Sequence, residues 1–235
     1  ANSDNTRDTL VELLGVKSQR IAMTYPTVDE DRFYPGEPVD RLRESVGLAG
    51  GKKLILSVGR LQRRKGFDNV IRCLPLLLEK GLDIAYALIG IGEDLDYLQE
   101  LAQELHVADR VHLLGHVGYE DLPSWYNSCD LFAMPNRDID GDTEGFGLVF
   151  LEAAASGKPV VAGKAGGTAS AVLDGVTGLR VDGEDVTEIA AALIRLLNDP
   201  IESASLGQAA RQRVLENFTH KRRVDQLRDL VAQGR

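Results

Sequence analysis

Short apolar runs separated by amphipathic stretches constrain this chain more than any other feature. KLILSVGR (53–60), IAYALIG (84–90), RVHLLG (110–115), DLFAMP (130–135) and PVVAG (159–163) read as buried strands, and GLRV (178–181) is a weaker sixth. FDNVIRCLPLLLEK, DLDYLQELAQEL and EDLPSWYNS lie between them with helical spacing. Strand–helix alternation of this kind gives a parallel sheet covered on both faces. The expected fold is α/β: a Rossmann-like parallel sheet of about six strands with helices on both faces. Such sheets bind ligands at the carboxyl ends of their strands, near a switch point.

Local punctuation agrees, with one exception. Gly157 and Pro159 end an alanine-rich helix. Pro75 is discordant, since CLPLLL should kink or split the helix that holds it. Further helices are expected at about 185–198, 201–217 and 220–232. Residues 1–49 form a different unit, with a helix near 4–14, an extended RIAMTYPTVD, and prolines 26, 35 and 38 that suggest a connector. The start, ANSDNTRDTL, lacks a Met and opens on polar, cap-like residues, so the chain reads as a fragment whose upstream part is absent.

At 43% hydrophobic and 27% charged, 235 residues can bury a sizeable core. The balance of 36 acidic to 27 basic residues, net −9, argues against nucleic-acid binding but permits a local basic pocket for an anionic small molecule. Cys73 and Cys129 sit in apolar stretches without a C-x-x-C pair and read as reduced core thiols of a cytoplasmic protein. The four histidines form no zinc pattern. HKRRVDQLRDLVAQ has some character of a basic membrane-surface helix, but Asp225 and Asp229 interrupt its basic face, which favours packing on its own protein.

Chemistry concentrates after the strands. In SVGRLQRRKG, Gly59 permits a sharp turn, and Arg60 and Lys65 leave the strand's carboxyl end, where two cations suit a diphosphate. Arg63 and Arg64 read as a solvated basic loop. IGIGEDLDYL carries G-x-G after a strand, but Leu95 stands where a dinucleotide fingerprint needs its third glycine, so a plain strand-to-helix turn is expected. Gly115, His116, Val117 and Gly118 follow another strand, and glycines there let backbone approach a flat ring. Trp125 and Tyr126 read as core packing. Asp138, Asp140, Asp142 and Glu144 could hold a divalent metal, though a flexible solvated acidic loop is favoured. Gly145 and Gly147 flank Phe146 at a helix start, whose free N–H groups and dipole suit anionic oxygens. Glu152, about two turns beyond Glu144, is a carboxylate in an apolar helix and needs a partner, either within the core or a ligand's hydroxyls. Gly166 and Gly167 open one more helix.

SVGRLQRRKG, GHVGYEDLPSWYNSCDLFAMPN, EGFGLVFLEAAASGKPVVAG and AVLDGVTGLRV together resemble the C-terminal domain of retaining GT-B glycosyltransferases, family 4, whose hallmark is two glutamates spaced as Glu144 and Glu152 are. The resemblance covers about residues 20–232. It implies residues 1–40 as the end of an N-terminal domain and linker, 41–217 as the donor-binding domain, and 218–235 as a helix crossing toward the missing N-terminal domain. It implies hexosyl transfer, mannosyl or glucosyl, from a UDP- or GDP-sugar to a glycan, lipid or small-molecule acceptor. Arg60 and Lys65 would neutralise the diphosphate; Glu144, with amides at Phe146, Gly147 and Leu148, would hold the sugar; Glu152 would bind the ribose; His116 and Val117 would lie near the base; and Gly59 would also belong to the donor site. Catalysis is thereby carried by Arg60, Lys65 and Glu144, with no metal, no cofactor beyond the donor, and no assigned nucleophile. The chain alone should bind nucleotide yet transfer little, and its first 40 residues and last helix should be the least firmly packed. A cytoplasmic location is implied, with the inner membrane surface as an alternative for the full-length protein. Two departures stand out: Ser170 replaces a frequent glutamate, and PTVD replaces a frequent Asn-Gly-Val-Asp in the linker. A non-catalytic nucleotide-binding module, or an epimerase or phosphorylase on the same fold, is the alternative.

Overall fold

The apolar runs become strands whose side chains are almost all shielded. In the computed structural model, which describes residues 1–48 and 52–232, these are β1 (Lys53–Val58), β2 (Ile84–Ile89), β3 (Val111–Gly115), β4 (Leu131–Met134), β5 (Val160–Gly163) and β6 (Leu179–Val181). Residues 49–51 and 233–235, which belong to the second and third units expected from the sequence, lie outside the described residues. All strand pairs are parallel, in the order β3-β2-β1-β4-β5-β6. β2, β4 and β5 are buried throughout, as continuous apolar runs require, whereas edge strand β3 is half-buried. The order reverses between β1 and β4, where Ile55 faces Leu131 and Leu56 faces Phe132.

Ten α-helices accompany the sheet among the described residues: α1 (Asp4–Glu12), α2 (Asp40–Ser45), α3 (Phe67–Glu79), α4 (Leu95–Glu104), α5 (Leu122–Ser128), α6 (Leu148–Ala155), α7 (Thr168–Ala171), α8 (Val186–Asn198), α9 (Pro200–Asn217) and α10 (His220–Ala232). They cover both faces; α3 packs on α4 and α8, and α6 packs on α5 and α9. No helix among the described residues is long and apolar enough to cross a membrane. α6 ends as the sequence requires. Lys158 N–H donates to Ala153 O at 3.0 Å and Gly157 N–H to Ala154 O at 2.9 Å, a paired closure with Gly157 left-handed at φ 71°.

Two expectations need correction. α3 runs unbroken through Pro75. The proline removes one N–H donor, while Ile71, Cys73, Leu74 and Leu77 around it are fully buried, and that packing holds the helix together. The first 40 residues are also better anchored than expected. α1 and α10 bury no residue, but the connector between α1 and α2 buries Phe33 completely and Val28 almost so. Val28 N–H donates to Phe218 O at 3.0 Å, and Arg211 donates to Phe33 O at 2.8 Å. Tyr25 packs on Phe146 and Phe218, and Phe33 on Tyr119 and Tyr126, with ring centroids 5.5–6.1 Å apart.

Candidate functional site at the carboxyl end of the sheet

The β1 loop carries four cations with different fates. Arg60 is exposed and has no ion-pair partner among the described residues. The Arg63 guanidinium sits over the Tyr97 ring, its central carbon 3.2 Å from the centroid, and pairs with Asp94 at 3.1 Å. Arg64 and Lys65 turn inward from a single 3-10 turn over Arg63–Lys65. Arg64, expected in a solvated loop, is instead largely covered and bonded to Glu144 at 3.2 Å, because the acidic loop after β4 folds onto it. Gly66 closes this turn at φ 74°, where a Cβ would lie 2.1 Å from Pro135 O; glycine is what lets the β1 loop lie against the end of β4.

The loop after β4 is fastened on three sides. The buried Asn136 donates to Ala165 O at 2.9 Å and accepts from Gly163 N–H at 3.1 Å. Arg137 grips Asp68 of α3 through two bonds of 2.9 and 3.0 Å. Ile139 and Asp142 pair across Asp140 (φ 52°) and Gly141 (φ 84°), a two-residue hairpin with both centres left-handed. Asp138, Asp140 and Asp142 are exposed as expected, but Glu144 is not: its side chain is 12% exposed and pairs with Lys65 as well as Arg64. Its carbonyl accepts from Gly167 N–H at 2.7 Å. α6 then starts at Leu148, and among the described residues nothing accepts from the amides of Phe146, Gly147, Leu148 or Val149. These four donors and the helix dipole make this an anion-favouring end.

Glu152 lies one turn inside α6, nearer the helix start than its distance from Glu144 suggested. Its carboxylate is held by the hydroxyl of the fully buried Tyr126, which donates to Oε2 at 2.7 Å. Burial raises the Glu152 pKa, and the Tyr126 hydrogen bond opposes that rise. Tyr119 stands close enough for the Glu152 charge, after burial, to help push its phenol upward. A cleft of about 320 Å³ is lined by Gly59, Arg60, Gly90, Gly115, His116 and Val117 at the ends of β1, β2 and β3. The structure therefore joins Lys65 to Glu144, groups Gly59, Arg60, His116 and Val117 along one cleft, and seats Glu152 on α5 through Tyr126. Arg64, Tyr126 and Asn136 are parts of this site that the sequence did not single out. Ser170 ties down α1: its hydroxyl donates to Asp4 Oδ2 at 2.8 Å and accepts from Asp4 N–H at 3.0 Å.

A parallel sheet with cations and carboxylates at its switch point defines a nucleotide-binding α/β protein of GT-B type. The family described as glycosyl transferases group 1 matches residues 38–213, and the chain belongs to it. The GDP-mannose-dependent alpha-(1-6)-phosphatidylinositol monomannoside mannosyltransferase of Mycolicibacterium smegmatis is 42% identical over 213 residues, 89% of this chain and 56% of the relative. D-inositol 3-phosphate glycosyltransferase 2 of Catenulispora acidiphila is 37% identical over 89% of this chain and 50% of its own length. The chain spans about half the length of the curated relatives it matches. Among solved structures, Anabaena Alr3699/HepE in complex with UDP and glucose superposes with a TM-score of 0.87 at 26% identity, covering 99% of this chain and 62% of that one. The C-terminal domain of a glycosyl transferase group 1 family protein (LpcC) from Francisella tularensis superposes at 0.71 with 28% identity, covering 82% of this chain and 99% of that domain.

Proposed function

We propose that this chain carries the donor site of a nucleotide-sugar-dependent hexosyltransferase, with GDP-mannose as the favoured donor. The observation that carries the reading is the Lys65–Glu144 ion pair, which joins loops 79 residues apart across the switch point and puts a cation beside free helix amides. Arg60 and Lys65 take the diphosphate, Glu144 and the amides of Phe146, Gly147 and Leu148 take the sugar, Glu152 takes the ribose, and His116 and Val117 flank the base. Cations and preorganised N–H groups stabilise the charge that develops on the departing nucleoside diphosphate, so the reading calls on no metal or cofactor. Retention of anomeric configuration rests on the family resemblance alone, and the anomer of the product tests it.

GDP-mannose is favoured because relatives at 38–42% identity are named for it, whereas the UDP-bound neighbour is 26% identical. Inositol-containing acceptors fit the relatives' names, with acceptor binding assigned to an N-terminal domain as in the family. Calorimetric titration with GDP, UDP, GDP-mannose and UDP-glucose tests the donor assignment. Tighter binding of the guanosine ligands is expected; preference for the uridine ligands would move the reading to a UDP-sugar, and binding of none would end it.

A further inference from the structure

Glu144 Oε2 receives two cations: Lys65 Nζ, and Arg64 Nη1 at 3.2 Å. The three side chains are only 12%, 11% and 19% exposed. While Lys65 holds that oxygen, the second cation is redundant for it. It becomes necessary once the first one leaves. Lysine is a mobile point charge on a flexible stem, suited to changing partners, whereas arginine is a planar fork suited to holding one.

The anchoring of the two residues matches this division. Among the described residues Glu144 is the ion-pair partner of Lys65. Arg64 is held at both ends. Its carbonyl accepts from Arg137 N–H at 2.8 Å, and Arg137 is gripped by Asp68. Its guanidinium also reaches Thr143 O at 3.5 Å, and its Nε lies 3.2 Å from Asp142 Oδ2, though off the hydrogen-bond axis.

We infer that Arg64 is a positioning residue that keeps Glu144 paired while Lys65 swings from it to the donor's diphosphate. The inference rests on the donor-site reading above. Without Arg64, the swing leaves a largely buried carboxylate unpaired, and an uncompensated charge there is costly. Every diphosphate ligand would then bind against that cost, while a nucleoside without phosphates would not meet it.

A double-mutant cycle on the 235-residue chain, read by calorimetry with GDP and with guanosine, tests this. Arg64→Gln should weaken GDP binding roughly tenfold, equivalent to about 1.4 kcal/mol, and leave guanosine unchanged. In a Glu144→Gln background, where Arg64 no longer has the Glu144 carboxylate to hold, the same substitution should change GDP affinity by less than about twofold. Arg64→Lys, which keeps the charge, should restore most of the affinity. An equal loss in both backgrounds would make Arg64 a direct phosphate ligand and overturn the inference, as would no loss in either. If Arg64→Gln alone does not fold, Arg64→Met, which keeps the aliphatic stem and removes the charge, is measured in both backgrounds, and equal losses overturn the inference again. Failure of the unaltered chain to bind GDP or UDP would instead sink the donor-site reading and take this inference with it.

Discussion

The hydroxyl of Tyr126, a fully buried residue of α5, donates to Glu152 Oε2 at 2.7 Å and is the hydrogen-bond donor that this carboxylate has among the described residues. One oxygen is thus fixed by the protein, and the proposed donor-site reading assigns the other to the ribose. Tyr126→Phe keeps the ring packed on Phe33 and Phe132 while removing the donor. Loss of a hydrogen bond to a charged group should cost about 2 kcal/mol, a Tm drop of about 4–8 °C in a chain of this size. Calorimetric melting checks it; a Tm within about 1 °C of the unaltered chain would mean the bond contributes nothing net.

Glu152→Gln should separate stability from binding. Burial raises the folded-state pKa of Glu152 above its ordinary 4.5, so the native state holds the proton more tightly than the unfolded chain does. Its contribution to stability is therefore fully present below 4.5 and is lost as pH rises through the folded value. At pH 7.5 the neutral glutamine should melt higher than glutamate, and the gap should close as pH is lowered toward the ordinary carboxylate range. The same variant should lose about 1–3 kcal/mol of nucleotide affinity, the order for hydrogen bonds to a charged group. Affinity unchanged in a folded variant would reduce Glu152 to a core residue.

Arg60 and Lys65 should part company. Arg60 is exposed and unpaired among the described residues, so Arg60→Ala should leave Tm within about 1 °C, since such surface changes stay within about 0.5 kcal/mol. It should still weaken GDP binding roughly tenfold, and less at high salt, because exposed charges are screened. Lys65→Ala should lower affinity and also stability, the latter by about 1–3 kcal/mol and hence Tm by at least about 2 °C, because it breaks a covered ion pair. Identical Tm values for the two variants would contradict the burial difference.

Gly167→Ala tests the fastening of the sugar-side loop. A Cβ at Gly167 would lie 2.0 Å from Gly145 O and 2.7 Å from Ser3 Oγ, so the loop from Glu144 to Gly147 has to move. Overpacking of this kind costs about 1–3 kcal/mol. GDP-mannose affinity should fall with it, and a variant that binds and melts like the unaltered chain would show that the loop gives way freely.

The fold was legible because burial on both faces writes itself into a strand as an unbroken apolar run. All six runs became strands, and the helices after Asp185 fell where their spacing put them. Pro75 misled because the cost of one missing donor is visible in the sequence, whereas the packing of Ile71, Leu74 and Leu77 that offsets it is not. At the site, the positions after strand ends were legible and the partnerships were not. Arg63 and Arg64 are adjacent and chemically identical, yet one stacks on Tyr97 outside and the other grips Glu144 inside. Only the direction of one 3-10 turn decides between them. Tyr126 reads like any core aromatic until α5 and α6 are laid side by side.

The stitch between Val28 and Phe218 has a consequence for how the chain comes into being. The connector is synthesised well before the carbonyl and side chain that receive it, at Phe218 and Arg211, which lie about 180–190 residues further along. The Phe33 ring can meet Tyr119 and Tyr126 sooner, but its carbonyl waits for Arg211. Contacts of such long sequence separation close slowly, because a large loop must first be brought together. On the ribosome, the segment that is made early must be housed late.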